Sequence, residues 1–128
     1  MSPTASTNLI NFRTYAKNRG NGYSLTSFFP HTLLQCLYVI VYKNLNSQLA
    51  LGQGYTSNSN SSKKNTGGTN SNTFCYGTTS GTQQVKLFGI EDFYGNLSQW
   101  LDGLYSIPNS IKTDYRNSVF TDHNGNNF

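Results

Sequence analysis

The chain has 128 residues, 35% apolar, 11% charged and 14% aromatic, with a formal net charge of +4; so many aromatics beside so little charge exclude the disordered class, and the length suits one domain, 1–128. Its basic residues are spread from Arg13 to Arg116 rather than clustered, which argues against a nucleic-acid partner. The N-terminus lacks a signal-peptide pattern, and the longest apolar run, 33–42, is about half of the ~20 residues of a membrane span, so no membrane insertion is expected.

In chain order, 4–20 reads as a helix: Leu9, Phe12 and Ala16 form an apolar stripe, Ile10 and Tyr15 widen it, and Ser6 or Thr7 can cap it. Gly20 and Gly22 follow in a loop. The segment 27–45 contains LYVIVY, a strand by propensity. Its length argues for a helix, since Leu33, Leu37 and Ile40 lie on one helical row and Leu34, Tyr38, Val41 and Leu45 on the next. With Ser27 as N-cap, Pro30 falls at the third helical position, where its missing N–H costs nothing. Such a helix is expected to be buried around most of its circumference and to form the spine of the domain. Cys36 within it then reads as an inert buried thiol in preference to a disulfide with Cys75.

The tract 56–72 is almost wholly Ser, Asn, Thr, Gly and Lys and is expected to be a long, flexible polar surface loop, either a binding loop or a tolerated insertion. Phe74 to Gly77 suits a short strand, and Val85 and Leu87 alternate with Lys86 and Phe88 as a half-buried strand. The stretch 90–103, IEDFYGNLSQWLDG, holds the only Trp. It reads as a strand leaving through Phe88 to Ile90, a tight turn at Tyr94-Gly95, and a short helix capped by Asn96 with Trp100 on its buried side. Leu104 to Ile107 suits another strand, Pro108-Asn109 a turn, 111–120 one or two short strands, and 121–128 a frayed loop.

IEDFYGNLSQWLDG resembles the D-M-x-G-N-V-W-E-W signature of the formylglycine-generating-enzyme (sulfatase-modifying factor) branch of the C-type lectin fold. Asp92, Gly95, Asn96 and Trp100 match it directly, whereas Phe93, Leu97, Ser98 and Gln99 replace Met, Val, the first Trp and Glu. TNLINFRTYAKNRG is similar to that family's first helix, and 27–45 stands where its second helix does. Closer still is the likeness to phage and prophage tail and tropism-determinant proteins, carried by the run from Leu33 through Lys43-Asn44-Leu45-Asn46-Ser47-Gln48 to Gly52-Gln53-Gly54-Tyr55, then by Gly77 to Gly81 and by Gly89 to Asn96. It covers roughly residues 5–105 and rests on several spaced motifs in order.

The resemblance implies an α+β, C-type lectin-like domain with two helices on small irregular antiparallel sheets, without the family's N-terminal and closing C-terminal strands, and so a fragment of a longer protein or a minimal version. It implies a virion or extracellular setting, a non-enzymatic ligand-binding module whose partner is a bacterial cell-surface glycan or protein, and a homo-oligomer or larger tail assembly; a structural tail module that mediates subunit contacts is the alternative. The oxidase chemistry of the family needs a reactive cysteine pair late in the domain, which Cys36 and Cys75 do not supply. His31, Cys36, Cys75 and His123 lack paired metal-ligand spacing, so no metal and no cofactor are expected. Asp92, Gly95, Asn96 and Trp100 are read as structural. The ligand face is placed downstream, on Tyr105, Asn109, Asp114, Tyr115, Arg116, Asn117, Phe120 and His123, where aromatic and Arg anchors sit among amides and hydroxyls.

Overall fold

Hydrophobic rows, caps and two hairpin turns account for most of the architecture in the computed structural model, which describes residues 6–57, 63–114 and 120. Among these the protein is α+β, with three helices and two small antiparallel sheets. The residues fall into two compact units, Tyr38–Ser98, and Ser6–Leu37 together with 99–114 and Phe120.

In the second of these, α1 spans Leu9–Lys17. It starts later than the sequence suggests because Asn8, rather than Ser6 or Thr7, is the cap: its side chain accepts from the Asn11 N–H at 2.9 Å. Leu9, Phe12 and Ala16 are half-buried as expected, Ile10 and Tyr15 are largely exposed, and the buried residue of the row is Arg13. Helix α2 spans Phe28–Tyr42, confirming the argument from length over strand propensity. The Ser27 carbonyl accepts from the His31 N–H at 3.2 Å, which makes Ser27 the last residue before the helix and leaves Pro30 at its third position. Strands β3, Leu104–Ile107, and β4, Ser110–Thr113, form a hairpin in which Tyr105 faces Lys112. Its turn is the expected Pro108-Asn109, with Asn109 at φ 64, a left-handed conformation that Asn tolerates.

In the unit Tyr38–Ser98, α2 ends as Lys43 turns to φ 49, and a short third helix, α3 (Ser47–Ala50), is capped by Asn46, whose side chain accepts from the Leu49 N–H at 3.0 Å. Strands β1, Lys86–Leu87, and β2, Ile90–Glu91, are joined by Phe88-Gly89, both at positive φ as in a type I′ turn. The expected strand 88–90 is therefore a hairpin corner, and the expected strand 74–77 is reduced to one antiparallel bridge between Tyr76 and Lys86. Tyr38, Leu51 and Leu87 form the core, with Tyr42, Ala50, Cys75, Phe88, Phe93 and Tyr94 packed against it. The Tyr42 hydroxyl is pushed up to about 12, by burial first and then by its hydrogen bond to Cys75.

Three expectations are corrected. The second helix is not enclosed: Tyr38 is its one buried residue, and Leu33, Leu37, Ile40 and Val41 are exposed; in the unit Tyr38–Ser98 the two-residue strands offer too little apolar surface to cover Ile40 and Val41. Cys36 is consequently an exposed thiol, and Cys75 is also free. The short helix after Asn96 does not form, and Trp100 is 52% exposed rather than a core anchor. The Asn96 side chain is instead committed to the segment 63–72, as described below.

Candidate functional site

The residues of the G-N motif hold chain segments together. Gly95, at φ 93, lies so close to Gly54 that a Cβ would meet its Cα at 2.9 Å. Asn96 pairs with Lys64 in both directions, accepting from its N–H and donating to its carbonyl at 3.1 Å, and also donates to Asp92 Oδ2 at 2.8 Å. Gln84 donates to the same Asp92 oxygen at 2.7 Å. Burial pushes the Asp92 carboxyl above its ordinary value against these two bonds, and the neighbouring Glu91 charge adds to the rise.

Glu91 anchors the polar tract. Its carboxylate accepts from the backbone N–H groups of Gly67 and Thr69, both at 2.7 Å, and from the Thr69 hydroxyl at 2.5 Å. Burial alone would raise this carboxyl; the bonds from Thr69, Gly67 and Gln84 outweigh it and hold it below the ordinary value. Lys86 Nζ adds bonds to the carbonyls of Thr69 and Asn72 at 2.8 and 3.3 Å. Residues 63–72, which carry no apolar side chain, are thus fastened by backbone groups to side chains, with Thr69 buried; residues 58–62 lie outside those described. Tyr94, whose hydroxyl donates to the carbonyls of Gly52 and Ser47 at 2.7 and 3.1 Å, ties 89–96 to 43–55, and the N–H groups of Gln53 and Thr56, donating to the carbonyls of Thr78 and Gly81 at 2.8 and 2.9 Å, tie 77–81 to the same unit.

A ligand-sized cavity of about 540 Å³ lies in the other unit, between α1, the loop 20–27, Asp102 and Phe120. Arg13 is carried into it by the buried row of α1, one turn after Leu9 and one before Ala16 and Lys17. Asp102 is fixed by parallel pairing with the residues entering α2: its N–H donates to the Thr26 carbonyl at 3.0 Å, and its own carbonyl accepts from the Phe28 N–H at 2.7 Å. The two side chains form a buried ion pair, with Arg13 Nε at 2.8 Å and an Nη at 2.6 Å from Asp102 Oδ1. Arg13 and Asp102 are only 8% and 4% exposed. Removing one partner of such a pair costs about 3–5 kcal/mol, because the other charge stays buried. Both contacts fall on Oδ1, so the carboxylate keeps Oδ2 as a second acceptor. Tyr23, Leu25 and Phe120 give the cavity apolar surface, and Lys17, Asn21, Ser24 and Ser27 give it polar groups.

Of the expected ligand face, Phe120 lines this cavity, its ring close to Gly103, where a Cβ would meet Cε1 at 3.0 Å. Asp114 donates its N–H to the Gly103 carbonyl at 2.9 Å and stands beside the Phe120 contact, outside the cavity lining. Tyr105 is half-buried on β3 and Asn109 is exposed at the hairpin turn. Tyr115, Arg116, Asn117 and His123 lie outside the described residues. Arg13, Tyr23 and Asp102 were missed as site residues; Arg13 had a signal, a charge placed within the apolar row of the first helix, and Asp102 another, an acid beside Trp100 in the 90–103 stretch. Among the described residues no group of three or more His, Cys, Asp or Glu could hold a metal ion, and no helix is long and apolar enough to cross a membrane. The chain matches no family model, no curated protein and no solved structure.

Proposed function

We propose that this chain is a non-enzymatic ligand-binding module with a C-type lectin-like fold, of the kind found in phage and prophage tail and tropism-determinant proteins, and that it takes a bacterial surface glycan into the cavity at Arg13 and Asp102. The observation that carries the reading is the lining itself. Saccharides offer hydroxyl donors and weakly apolar C–H faces, which call for a fixed acceptor next to aromatic rings; Asp102, held by Arg13, is such an acceptor, and Tyr23 and Phe120 are the rings. The convergence of the 43–55, 77–81 and 89–96 motifs supports the fold assignment. Probing an array of bacterial saccharides with the intact chain and with Tyr23→Ala and Phe120→Ala tests it. Selective binding weakened at least about tenfold in both variants is expected, each having lost roughly 1.4 kcal/mol or more of ring contact; equal signals from all three proteins would refute the site.

A second reading, a structural tail module that makes subunit contacts, is supported by a different feature. Ile40, Val41, Leu45 and Leu49 are each more than half exposed, an uncommon concentration of apolar side chains for a chain so polar.

A further inference from the structure

We infer that the saccharide taken by this cavity carries an anionic group, recognised by Lys17. The inference rests on the cavity being the ligand site and adds the charge of the ligand. Among the described residues the cavity is lined by two cations, Arg13 and Lys17, and one carboxylate, Asp102. Arg13 and Asp102 pair at 2.6 to 2.8 Å, so among the described lining residues two positive charges less one negative leave +1, carried by Lys17. Among the described residues the Lys17 ammonium has no ion-pair or hydrogen-bond partner.

Its position is built in. Lys17 is the last residue of α1 and lies one turn beyond Arg13, hence on the same helix face. Its carbonyl accepts from the Gly20 N–H at 3.0 Å, which turns the chain back into the loop that walls the cavity. A ligand whose hydroxyl donates to Asp102 therefore meets a cation at the α1 end of the same cavity. A neutral sugar leaves that cation to water; a uronic acid or a sugar phosphate pairs with it.

Lys17 is exposed, so the Coulombic gain is that of a partly hydrated pair, on the order of a fivefold tightening at low ionic strength, fading as salt screens it. The test is titration of the intact chain with glucose, glucuronate and glucose 6-phosphate at low and high salt, followed by NMR shifts and repeated with Lys17→Gln and with Arg19→Gln, a cation outside the lining. The expected result is tighter binding of one or both acids than of glucose, by roughly fivefold at low salt, lost in Lys17→Gln and kept in Arg19→Gln. Glucuronate alone showing the preference identifies the anion as a carboxylate, and glucose 6-phosphate alone as a phosphate. Glucose binding as tightly as both acids, or a preference that survives Lys17→Gln, would overturn the inference and leave the cavity reading standing. Absence of binding by all three sugars would overturn both.

Discussion

Gly77 has no room for a side chain: a Cβ there would lie 2.2 Å from the Leu51 carbonyl oxygen, a backbone atom that cannot swing away. Gly52 faces it from the other side, with a Cβ position 2.5 Å from the Thr78 nitrogen and φ at +152. Gly77→Ala is expected to cost about 1–3 kcal/mol, the usual penalty of overpacking, seen as a lower urea midpoint at unchanged slope; an unchanged midpoint would mean that the two backbones separate freely. Such contacts are partly legible in sequence. The motifs containing Gly52, Gly77 and Gly95 could be recognised, but the partner of each glycine is set by tertiary approach. Trp100 shows the opposite error: a lone Trp suggests a core anchor, yet the helix that would have turned it inward does not form once Asn96 spends its side chain on Lys64.

The polar tract and α2 are the two elements whose fate composition misjudged, for opposite reasons. Residues 63–72 lack apolar groups, and periodicity cannot foresee that one carboxylate, Glu91, would collect the N–H groups of Gly67 and Thr69. Because Glu91 titrates lower in the folded chain, its contribution to stability is present above the ordinary glutamate value of 4.5 and is lost as pH falls through the lower folded value. Asp92, raised by burial, works in the other sense, contributing fully below its ordinary 3.8 and losing that contribution as pH rises through its higher folded value. The two partly cancel in global stability, so a local probe is needed. Amide exchange at Gly67 and Thr69, corrected for intrinsic rates, is expected to quicken below pH 4.5 in the native chain and to be fast at all pH values in Glu91→Gln. Protection in that variant equal to the native chain's would show that Glu91 does not hold the tract. For α2, the length and rows of apolar residues identified a helix correctly, but they report how much apolar surface exists and say nothing of whether neighbours suffice to cover it.

At the scale of the molecule, chemistry is divided between the two units. The spaced glycine motifs 77–81 and 89–96 serve the unit Tyr38–Ser98, while the cavity is built from residues of the other, of which Arg13, Lys17 and Gly20 belong to the first-helix motif, Asp102 to the 90–103 stretch, and Asn21 to Leu25 and Phe120 to neither. Exposed apolar residues near the end of α2 give the structural reading its own test. Ile40→Glu and Leu45→Glu, 67% and 87% exposed, are expected to change stability by no more than about 0.5 kcal/mol each. If those side chains join copies of the chain, both substitutions abolish concentration-dependent association in sedimentation velocity; a native chain that stays monomeric at high concentration contradicts self-assembly through this surface.

The central claim, that the Arg13–Asp102 cavity receives the ligand, is tested most directly by where a bound saccharide perturbs the protein. In two-dimensional 1H–15N spectra recorded during titration with the strongest saccharide from the array, the Arg13 Nε–H, hydrogen-bonded to Asp102, and the amides of 20–27 are expected to shift together with one dissociation constant. Gly67 and Thr69 serve as internal references and are expected to stay in place. Saturating shifts elsewhere with an unmoved Arg13 Nε–H would contradict the account.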